Sequence, residues 1–448
     1  MKKIASVQEP IWLTQHIHTG STLYNVGGYA CIDGGLEVSL LQQAIGKVLE
    51  EADVIELGYY AFNETGSADN TTFSRYDMAV VDLSGETDPD RTCLDWMHTD
   101  MNTALDTTTC LLKVRLLKAS ADRYYWYTKV HHLVFDGYSM SLFFNKVAAV
   151  YSAIIDNQTA SPDNNRYSYE DFIREDITYR HSKEFRDSGE FWEGRLKQLP
   201  ETKAFQSFFK TGKAATLSCS RKEITISREL YNQISSFAEQ HHCTAFHYFI
   251  ATLFVLNKCY NNNETPLIGI PVFNRRNRYF KNTLGTFVNM LPFSVSLGND
   301  ATFTEVLVQV KNELKDCYRH QRFPLYETLK RLDRQGNLYN ISFSYQKNTY
   351  EARLGDTLTS INFITSGEQQ EDLIFHLLEY SDTEDLVLAV DYLKELFSPE
   401  MTEGLLTHFH HLLQTLLEQE AAPLQKQDYL SVEEKQLLSG FNDTAHDY

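Results

Sequence analysis

The segment RYYWYTKVHHLVFDGYS, residues 123–139, decides the fold because it changes from a strand pattern to a helix pattern within a few residues. Aromatic and β-branched residues predominate up to His131, as in a buried strand. After Gly137 apolar residues recur three or four apart, at Met140, Phe144, Val147, Tyr151 and Ile154. The run LLKVRLLK, residues 111–118, followed by the turn 119–122, adds a preceding strand. We therefore predict a hairpin that leads into HHLVFDG on a strand-to-helix turn.

Helical and strand patterns mix in both halves of the 448-residue chain, on either side of the polar stretch 156–166. The second half includes one long predicted helix, 228–259. A chain of this length exceeds one small domain. We predict an α/β or α+β fold in two lobes, residues 1–160 and 161–432, followed by the start of a linker at 433–448.

The acidic composition excludes several partners. The net charge is −19, from 41 basic and 60 acidic side chains, so nucleic acid and anionic lipid are repelled. No apolar run approaches the roughly 20 residues of a membrane span, and the first residues lack the features of a signal peptide, so we expect a cytoplasmic protein. The basic cluster Asn274–Arg278 is either a solvated loop or a docking surface for an acidic partner or a phosphate.

The paired histidines can do chemistry. Neighbouring strand residues point to opposite faces, so only one of His131 and His132 can face a given cleft. Asp136 can orient the backbone or an arginine, and Gly137 allows close approach of a substrate at the positive end of a helix. An alternative interpretation is a pair of core histidines with Asp136 as the helix N-cap.

Other motifs are either absent or weak. His241, His242, Cys243 and His247 contain zinc-ligand types, but their segment is apolar and helical, so we predict no metal site. The seven cysteines are scattered and form no C-x-x-C pair, which favours reduced thiols. The sequence lacks the nucleophile elbow, the Walker loop, the dinucleotide fingerprint and H-E-x-x-H. Acyl transfer to a nucleophile remains.

The segment HHLVFDGYS, residues 131–139, resembles the signature of the condensation-domain superfamily of nonribosomal peptide synthetases, which also includes chloramphenicol acetyltransferase-like enzymes. Further family motifs are resembled in the expected order by VQEPIW (7–12), YEDF (169–172), FW (191–192), LGTFVN (284–289), HQRFPL (320–325) and the linker opening FNDTA (441–445). The resemblance implies two acetyltransferase-like lobes in a V-shaped pseudo-dimer with a central tunnel.

The resemblance also implies roles for individual residues. His132 would act as a general base or position the attacking amine, and the backbone N–H of Gly137 would stabilise the oxyanion. His131 would pack behind the site, and Asp136 would be structural, with Arg275 as its partner. Further tunnel or motif residues are Trp12, Gly285, Phe287, Asn289 and Gln346.

One motif points to a subgroup. Most family members have Arg-His-Glu-x-Leu-Arg where this chain has EADVIE, residues 51–56, so Glu56 replaces an arginine. This form resembles initiating condensation domains of enterobactin- and bacillibactin-type siderophore synthetases. It implies a donor carrier protein in trans, and an acceptor carrier and an adenylation domain in the same synthetase. Substrates would arrive on phosphopantetheine arms, with no cofactor bound by the domain itself.

Several alternatives share the histidine motif. A coenzyme A-dependent acyltransferase of the plant type would carry a D-F-G-W-G segment, which is absent. An epimerisation domain is not expected at the start of a chain that ends in such a linker. A non-catalytic recruitment module would have lost His132, and heterocyclisation domains usually replace the histidines with aspartates. The resemblance to initiating domains implies a donor that is an aryl acid, a fatty acid or a small acyl group, and the subgroup favours the aryl acid.

Overall fold

The computed structural model describes residues 4–62, 74–158, 167–198, 204–205, 214–261, 266–298, 300–332, 338–347, 353–355, 357–427, 429–430 and 434–436. These residues form two six-stranded sheets, each with its own helices and hydrophobic core. The stretch FNDTA and most of the predicted linker lie outside the described residues.

The helices are α1 (Glu9–Ile17), α2 (Val38–Glu50), α3 (Asp53–Phe62), α4 (Pro89–Met101), α5 (Gly137–Ile155), α6 (Tyr169–Arg180), α7 (Lys183–Gln198), α8 (Arg228–Gln240), α9 (Ala245–Asn261), α10 (Phe303–Arg319), α11 (Leu325–Arg331) and α12 (Pro399–Glu418). The strands are β1 (Asn25–Asp33), β2 (Asp77–Asp82), β3 (Leu112–Lys118), β4 (Arg123–His131), β5 (Cys219–Ile226), β6 (Ile268–Val272), β7 (Asn289–Phe293), β8 (Ile341–Lys347), β9 (Arg353–Leu354), β10 (Thr357–Ile364), β11 (Leu373–Glu379) and β12 (Leu386–Leu393).

The first sheet has the strand order β2-β3-β4-β1-β10-β9. Its centre is the β3–β4 hairpin, which the sequence predicts, and β1 pairs with β4 so that Asn25 lies opposite His131. Helices α2 and α5 pack together on one face, and α4 covers the other with Cys93, Met97 and Met101. The hairpin brings the paired histidines to one end of this sheet.

The second sheet has the order β5-β12-β11-β8-β6-β7, with β8 parallel to both β6 and β11. One face packs against α8, α9, α10 and α12 around a large core. Side chains alternate along each strand, so β8 buries Ile341 and Phe343 in that core and turns Ser342 and Ser344 to the opposite face.

Strands β9 and β10 belong to the first sheet although they come from the range predicted for the second lobe. Strand β10 is antiparallel to β1, with Gly27 opposite Ile364. The pairing covers the edge of β1, which would otherwise present unpaired backbone groups. The division at residue 160 stays a prediction, and residues 161–432 contribute all six strands of the second sheet as well as β9 and β10 of the first sheet.

The single long helix predicted for residues 228–259 is wrong, because α8 and α9 are separate. His242 adopts a left-handed backbone conformation, with φ at 56°. Cys243 N–H then donates to the Ala238 carbonyl at 2.8 Å. This is the left-handed termination that ends many helices, here without the usual glycine.

Helix α5 is the one helix in the described part of the chain that is long and apolar enough to cross a membrane by length and composition. It contributes Met140, Phe143, Phe144 and Val147 to the first core. Core helices of globular proteins meet the same criterion, and the cytoplasmic location stays a prediction.

Candidate functional site

The HHLVFDG segment forms the turn between β4 and α5, as the sequence predicts. Strand β4 ends at His131, and α5 begins at Gly137. The Val134 N–H donates to the His131 carbonyl at 2.9 Å, which closes the turn. Gln8 from the segment before α1 donates to the Leu133 carbonyl at 2.7 Å. The turn is therefore held from both its own backbone and the N-terminal segment.

His131 is buried, and both of its ring nitrogens are engaged. The Leu133 N–H donates to Nδ1 at 3.0 Å, so Nε2 carries the proton and faces Gln15 Oε1 at 3.1 Å. Burial lowers the pKa of His131 to about 3. His131 is therefore a neutral, fixed side chain that cannot exchange protons with a substrate near neutral pH.

His132 is half-buried, and only its backbone is tied down. Its N–H donates to the Tyr24 carbonyl at 2.7 Å, and its carbonyl accepts from Thr286 Oγ1 at 2.5 Å. The Tyr24 ring meets the imidazole edge-on, with centroids 6.4 Å apart. Among the described residues its buried Nδ1 has no hydrogen-bond partner. Burial lowers the pKa of His132, opposed by its own backbone and by Asp136, so the ring is neutral and can accept a proton.

The Asp136 carboxylate is fully occupied by protein donors. Oδ1 accepts from the Ser139 N–H at 2.8 Å and from Arg275 Nη2 at 3.0 Å. Oδ2 accepts from the backbone N–H groups of Phe287 at 3.0 Å and Val288 at 3.3 Å. The Arg275 charge and the Phe287 and Ser139 N–H groups lower the pKa of Asp136 despite its burial. The sequence suggested two roles for Asp136, and the structure shows both. Asp136 is the N-cap of α5 and also the partner of an arginine.

Arg275 is buried and orders the loop that faces the motif. Nη1 donates to the carbonyls of Phe280 at 2.7 Å and Thr283 at 2.5 Å. Nη2 donates to Ser139 Oγ at 2.6 Å as well as to Asp136, and the guanidinium lies 3.9 Å from the centroid of the Phe287 ring. Arg275 thus joins the start of α5 to residues 280–287.

Glu56 lies in α3 and takes no part in this network. Its carboxylate pairs with Arg75 at 3.0 Å, and both side chains are about one-third exposed. Position 56 therefore does not supply the positive charge of the arginine that the resemblance leads one to expect there. Arg275 supplies the charge to Asp136.

Gly137 is exposed at the first position of α5. A Cβ built on it would meet nothing within 4 Å. No hydrogen bond from its N–H is found in the described part of the chain. Both features fit the oxyanion role predicted for it, because a donor at a helix start is left free beside open space.

The remaining predicted residues have mainly structural contacts. Trp12 Nε1 donates to the Ala61 carbonyl at 2.9 Å, which joins α1 to α3. Asn289 Nδ2 donates to the Gln321 carbonyl at 2.8 Å. Gly285 has no room for a side chain, since a Cβ would lie 2.1 Å from the Tyr169 ring. Phe287 lies under Arg275, and its N–H donates to Asp136.

Gln346 lies near the end of β8, apart from these contacts. Its Nε2 lies 3.4 Å from Ser344 Oγ. Ser344 Oγ is 2.9 Å from His376 Nδ1, and His376 Nε2 is 3.2 Å from Asp391 Oδ2. Arg221 completes this row across four strands by pairing with both carboxylate oxygens of Asp391, at 2.7 and 2.8 Å. These side chains form a continuous polar network on the face of the second sheet that points away from its helices.

Sequence reasoning missed four residues that support the histidines and Asp136, namely Gln15, Tyr24, Ser139 and Thr286. Ser139 lies two residues after the motif, and its place in the first turn of α5 was a usable signal. Thr286 lies in the LGTFVN segment, which resembles a family motif but does not indicate a contact with His132. Gln15 and Tyr24 reach the motif from a distant segment, and no local pattern marks them. Within the described residues, no group of three His, Cys, Asp or Glu side chains could hold a metal ion.

A model of the condensation-domain family matches residues 2–439. The chain is 25% identical over 448 residues to a dimodular nonribosomal peptide synthase of Bacillus subtilis (strain 168), covering 99% of this chain and 19% of that protein. It is 23% identical over 453 residues to tyrocidine synthase 3 of Brevibacillus parabrevis, covering 99% of this chain and 7% of that protein. The chain thus spans a fifth or less of the length of these relatives.

Two solved structures are similar over nearly the whole chain. A variant of the starter condensation domain of rhizomide synthetase in complex with C8-CoA superposes with a TM-score of 0.83 at 20% identity, covering 95% of this chain and 97% of that one. The first condensation domain of the calcium-dependent antibiotic synthetase, with a substrate analogue, gives 0.81 at 21%, covering 96% and 98%. These similarities confirm the predicted α/β class and the acetyltransferase-like fold. With the family match, they show that the chain belongs to the condensation-domain family of nonribosomal peptide synthetases, whose members form amide bonds.

Proposed function

We propose that this domain joins a carrier-bound acyl or aryl thioester to the amine of a carrier-bound aminoacyl thioester in an initiation module. One observation carries the proposal. The polar side-chain atoms of His131 and Asp136 bind protein partners. The ring of His132 is neutral and half-buried, and no described side chain binds it. His132 is therefore the group of the motif that is free to act on a substrate.

His132 acts on the attacking amine. An amine with an ordinary pKa near 8 is roughly one-tenth neutral at pH 7, a penalty of only about 1.4 kcal/mol. Deprotonation before attack is thus a small part of the barrier. The larger contribution of His132 is to orient the amine and to accept its proton as the carbon–nitrogen bond forms.

Gly137 acts on the other side of the reacting carbonyl. Negative charge develops on the thioester oxygen as the amine adds, and a donor already in place lowers the barrier. The free N–H of Gly137 at the positive end of α5 is such a donor. Asp136 and Arg275 hold this helix start in position and do not touch the substrate.

The comparisons support a module of a larger synthetase. The curated relatives are synthases several times longer than this chain, and one similar structure is a starter condensation domain in complex with C8-CoA. We infer a donor carrier protein in trans, and an acceptor carrier and an adenylation domain in the same synthetase. Their phosphopantetheine arms would enter a tunnel between lobes 1–160 and 161–432 from opposite sides. The EADVIE segment supports an aryl donor.

The test uses two loaded carrier proteins and intact-mass detection of the amide on the acceptor carrier. We expect His132→Ala to lower product formation by at least about a hundredfold, the usual contribution of a positioned acid or base. His98→Ala, an exposed histidine of α4, serves as the matched control and should keep full activity. Full turnover by His132→Ala with both carriers loaded would overturn the role of this residue. Product from acyl-coenzyme A and a free amine, with none from loaded carriers, would favour the coenzyme A-dependent alternative.

A further inference from the structure

Two aromatic side chains next to the motif are exposed. Tyr138, the residue after Gly137, is 40% exposed, and Phe273, the residue after β6, is 43% exposed. Their rings contact each other in a T-shaped arrangement, with centroids 4.7 Å apart. Contiguous exposed apolar surface marks binding sites more often than isolated exposed residues do. The two rings form one exposed aromatic surface beside the start of α5.

The fold builds this surface from elements of both sheets. Tyr138 belongs to α5, which packs against the first sheet, and Phe273 follows β6 of the second sheet. After Phe273 the chain turns at Asn274, which adopts a left-handed backbone conformation with φ at 50°. Asparagine tolerates this conformation better than most residues. On the two sides of the turn, Phe273 is exposed and Arg275 is buried.

Arg275 supports both rings from the protein side. Its guanidinium carbon lies 4.8 Å from the centroid of the Tyr138 ring and 5.7 Å from that of the Phe273 ring. The same guanidinium is fixed by the Asp136 carboxylate and by backbone carbonyls. The rings therefore rest on a rigid group, and little conformational freedom is lost when a ligand covers them.

The proposed chemistry brings the donor to these rings. The Gly137 N–H binds the thioester oxygen of the donor, and Tyr138 is the next residue of α5. Two groups extend from that carbonyl carbon, namely the acyl group and the sulfur of the pantetheine arm. The arm carries amides that need hydrogen-bond partners, whereas aromatic rings offer chiefly apolar contact. The acyl group is therefore the part of the donor that matches this surface.

The surface favours one class of acyl group. A flat aromatic ring can contact both side chains in the offset or edge-to-face arrangements that aromatic pairs prefer. An alkyl chain would lose the rotational freedom of several bonds on binding to the same surface. A cationic group is disfavoured, because the charge of Arg275 already lies beside both rings.

We propose that Tyr138 and Phe273 are specificity-determining residues that bind an aromatic ring of the donor acyl group. The proposal rests on the proposed function, because the donor is placed by its carbonyl at Gly137. It assigns the selection of the donor to two side chains that lie outside both the HHLVFDG and the EADVIE segments.

The experiment compares donor carriers loaded with benzoyl or cyclohexanecarbonyl groups, which have equal numbers of carbon atoms but differ in flatness and aromaticity. The acceptor is held constant, and the benzoyl-to-cyclohexanecarbonyl ratio of kcat/KM is measured for each protein. We expect this ratio to fall about fivefold in Tyr138→Leu and in Phe273→Leu relative to the wild type, since an aromatic pair contributes roughly this factor beyond its apolar area. Comparing ratios between proteins cancels the different intrinsic reactivities of the two thioesters.

Tyr167→Leu is the matched control. Tyr167 is a tyrosine of similar exposure, 39%, and its ring stacks on Tyr279 with centroids 4.5 Å apart. This variant should keep the wild-type ratio. Thermal melting verifies the fold of each variant.

The outcomes separate the two proposals. An unchanged ratio in either leucine variant of the pair, or an equal fall in Tyr167→Leu, overturns the role of the two rings and leaves amide formation standing. Calorimetric binding of the benzoyl and cyclohexanecarbonyl amides of aminopantetheine, which cannot react, decides the role of the rings even if no amide product forms. Tighter binding of the benzoyl compound that is lost in Tyr138→Leu and Phe273→Leu supports it, and equal binding contradicts it.

Discussion

Two glycines of the site differ in the space beside them. A Cβ at Gly285 would lie 2.1 Å from the Tyr169 ring, in the buried region where Ser139 and Arg275 bind the Gly285 carbonyl. A Cβ at Gly137 would meet open space at the start of α5. The first glycine is required by packing, and the second leaves the start of α5 open.

Alanine substitutions at these glycines should separate stability from activity. We expect Gly285→Ala to lower the free energy of unfolding by about 1–3 kcal/mol, the usual cost of overpacking. Gly137→Ala should change it by less than about 1 kcal/mol and lower amide formation, because a methyl group would crowd the carbonyl that the N–H binds. Urea denaturation and the carrier assay measure the two effects. A stable and fully active Gly137→Ala variant would remove Gly137 from the oxyanion site.

His131 should make stability depend on pH. Its pKa is about 3 in the folded protein, below the ordinary value near 6.5, so between these values the unfolded chain binds the extra proton. The contribution of His131 to the free energy of unfolding is complete above about pH 6.5 and is lost as the pH falls toward 3. At pH 5 the loss is about 2 kcal/mol. Urea denaturation at pH 7 and 5 should show a smaller loss for His131→Gln than for the wild type or for His98→Gln. Identical pH dependence in all three would contradict this.

At the scale of elements, the start of α5 depends on Asp136 in two ways. Asn at this position can still cap the helix but leaves Arg275 buried beside a neutral group, whereas Ala removes both interactions. We expect Asp136→Asn to cost about 3 kcal/mol, and Asp136→Ala about 1 kcal/mol more from the lost cap. Melting curves of both variants measure this order. An unchanged melting curve with lost activity would instead assign Asp136 a direct chemical role.

Local elements could be predicted from the sequence, and distant pairings could not. The β3–β4 hairpin and α5 follow from patterns within about 45 residues, and the strand-to-helix turn places the motif. Strand β10 joins β1 across more than 300 residues, and nothing in its own composition names that partner. His242 ends α8 in a left-handed conformation without glycine, so the periodicity of 228–259 concealed the break.

The site shows the same limit. Asp136 and Arg275 could be paired from the sequence only through the resemblance to a family, since they are 139 residues apart. Tyr24 carries no motif, and its contact with His132 appears only in the folded chain.

At the scale of the whole molecule, the two sheets share structure and should unfold together. Strand β10 completes the first sheet, and the Asp136 carboxylate binds Arg275 and the backbone at Phe287. We expect differential scanning calorimetry to show one transition whose calorimetric and van't Hoff enthalpies agree. Two resolved transitions in the wild type would show that the sheets unfold independently.

The crossing strand has a consequence for chimeras between synthetases. A hybrid that took residues 1–160 from this chain and the remainder from a relative would place a foreign β10 against the native β1. At that seam a Cβ on Gly28 would lie 2.6 Å from the Asn362 carbonyl oxygen, so the two segments have to be matched to each other. The exchangeable unit is therefore a sheet assembled from two distant segments, and a functional hybrid would carry both from the same parent.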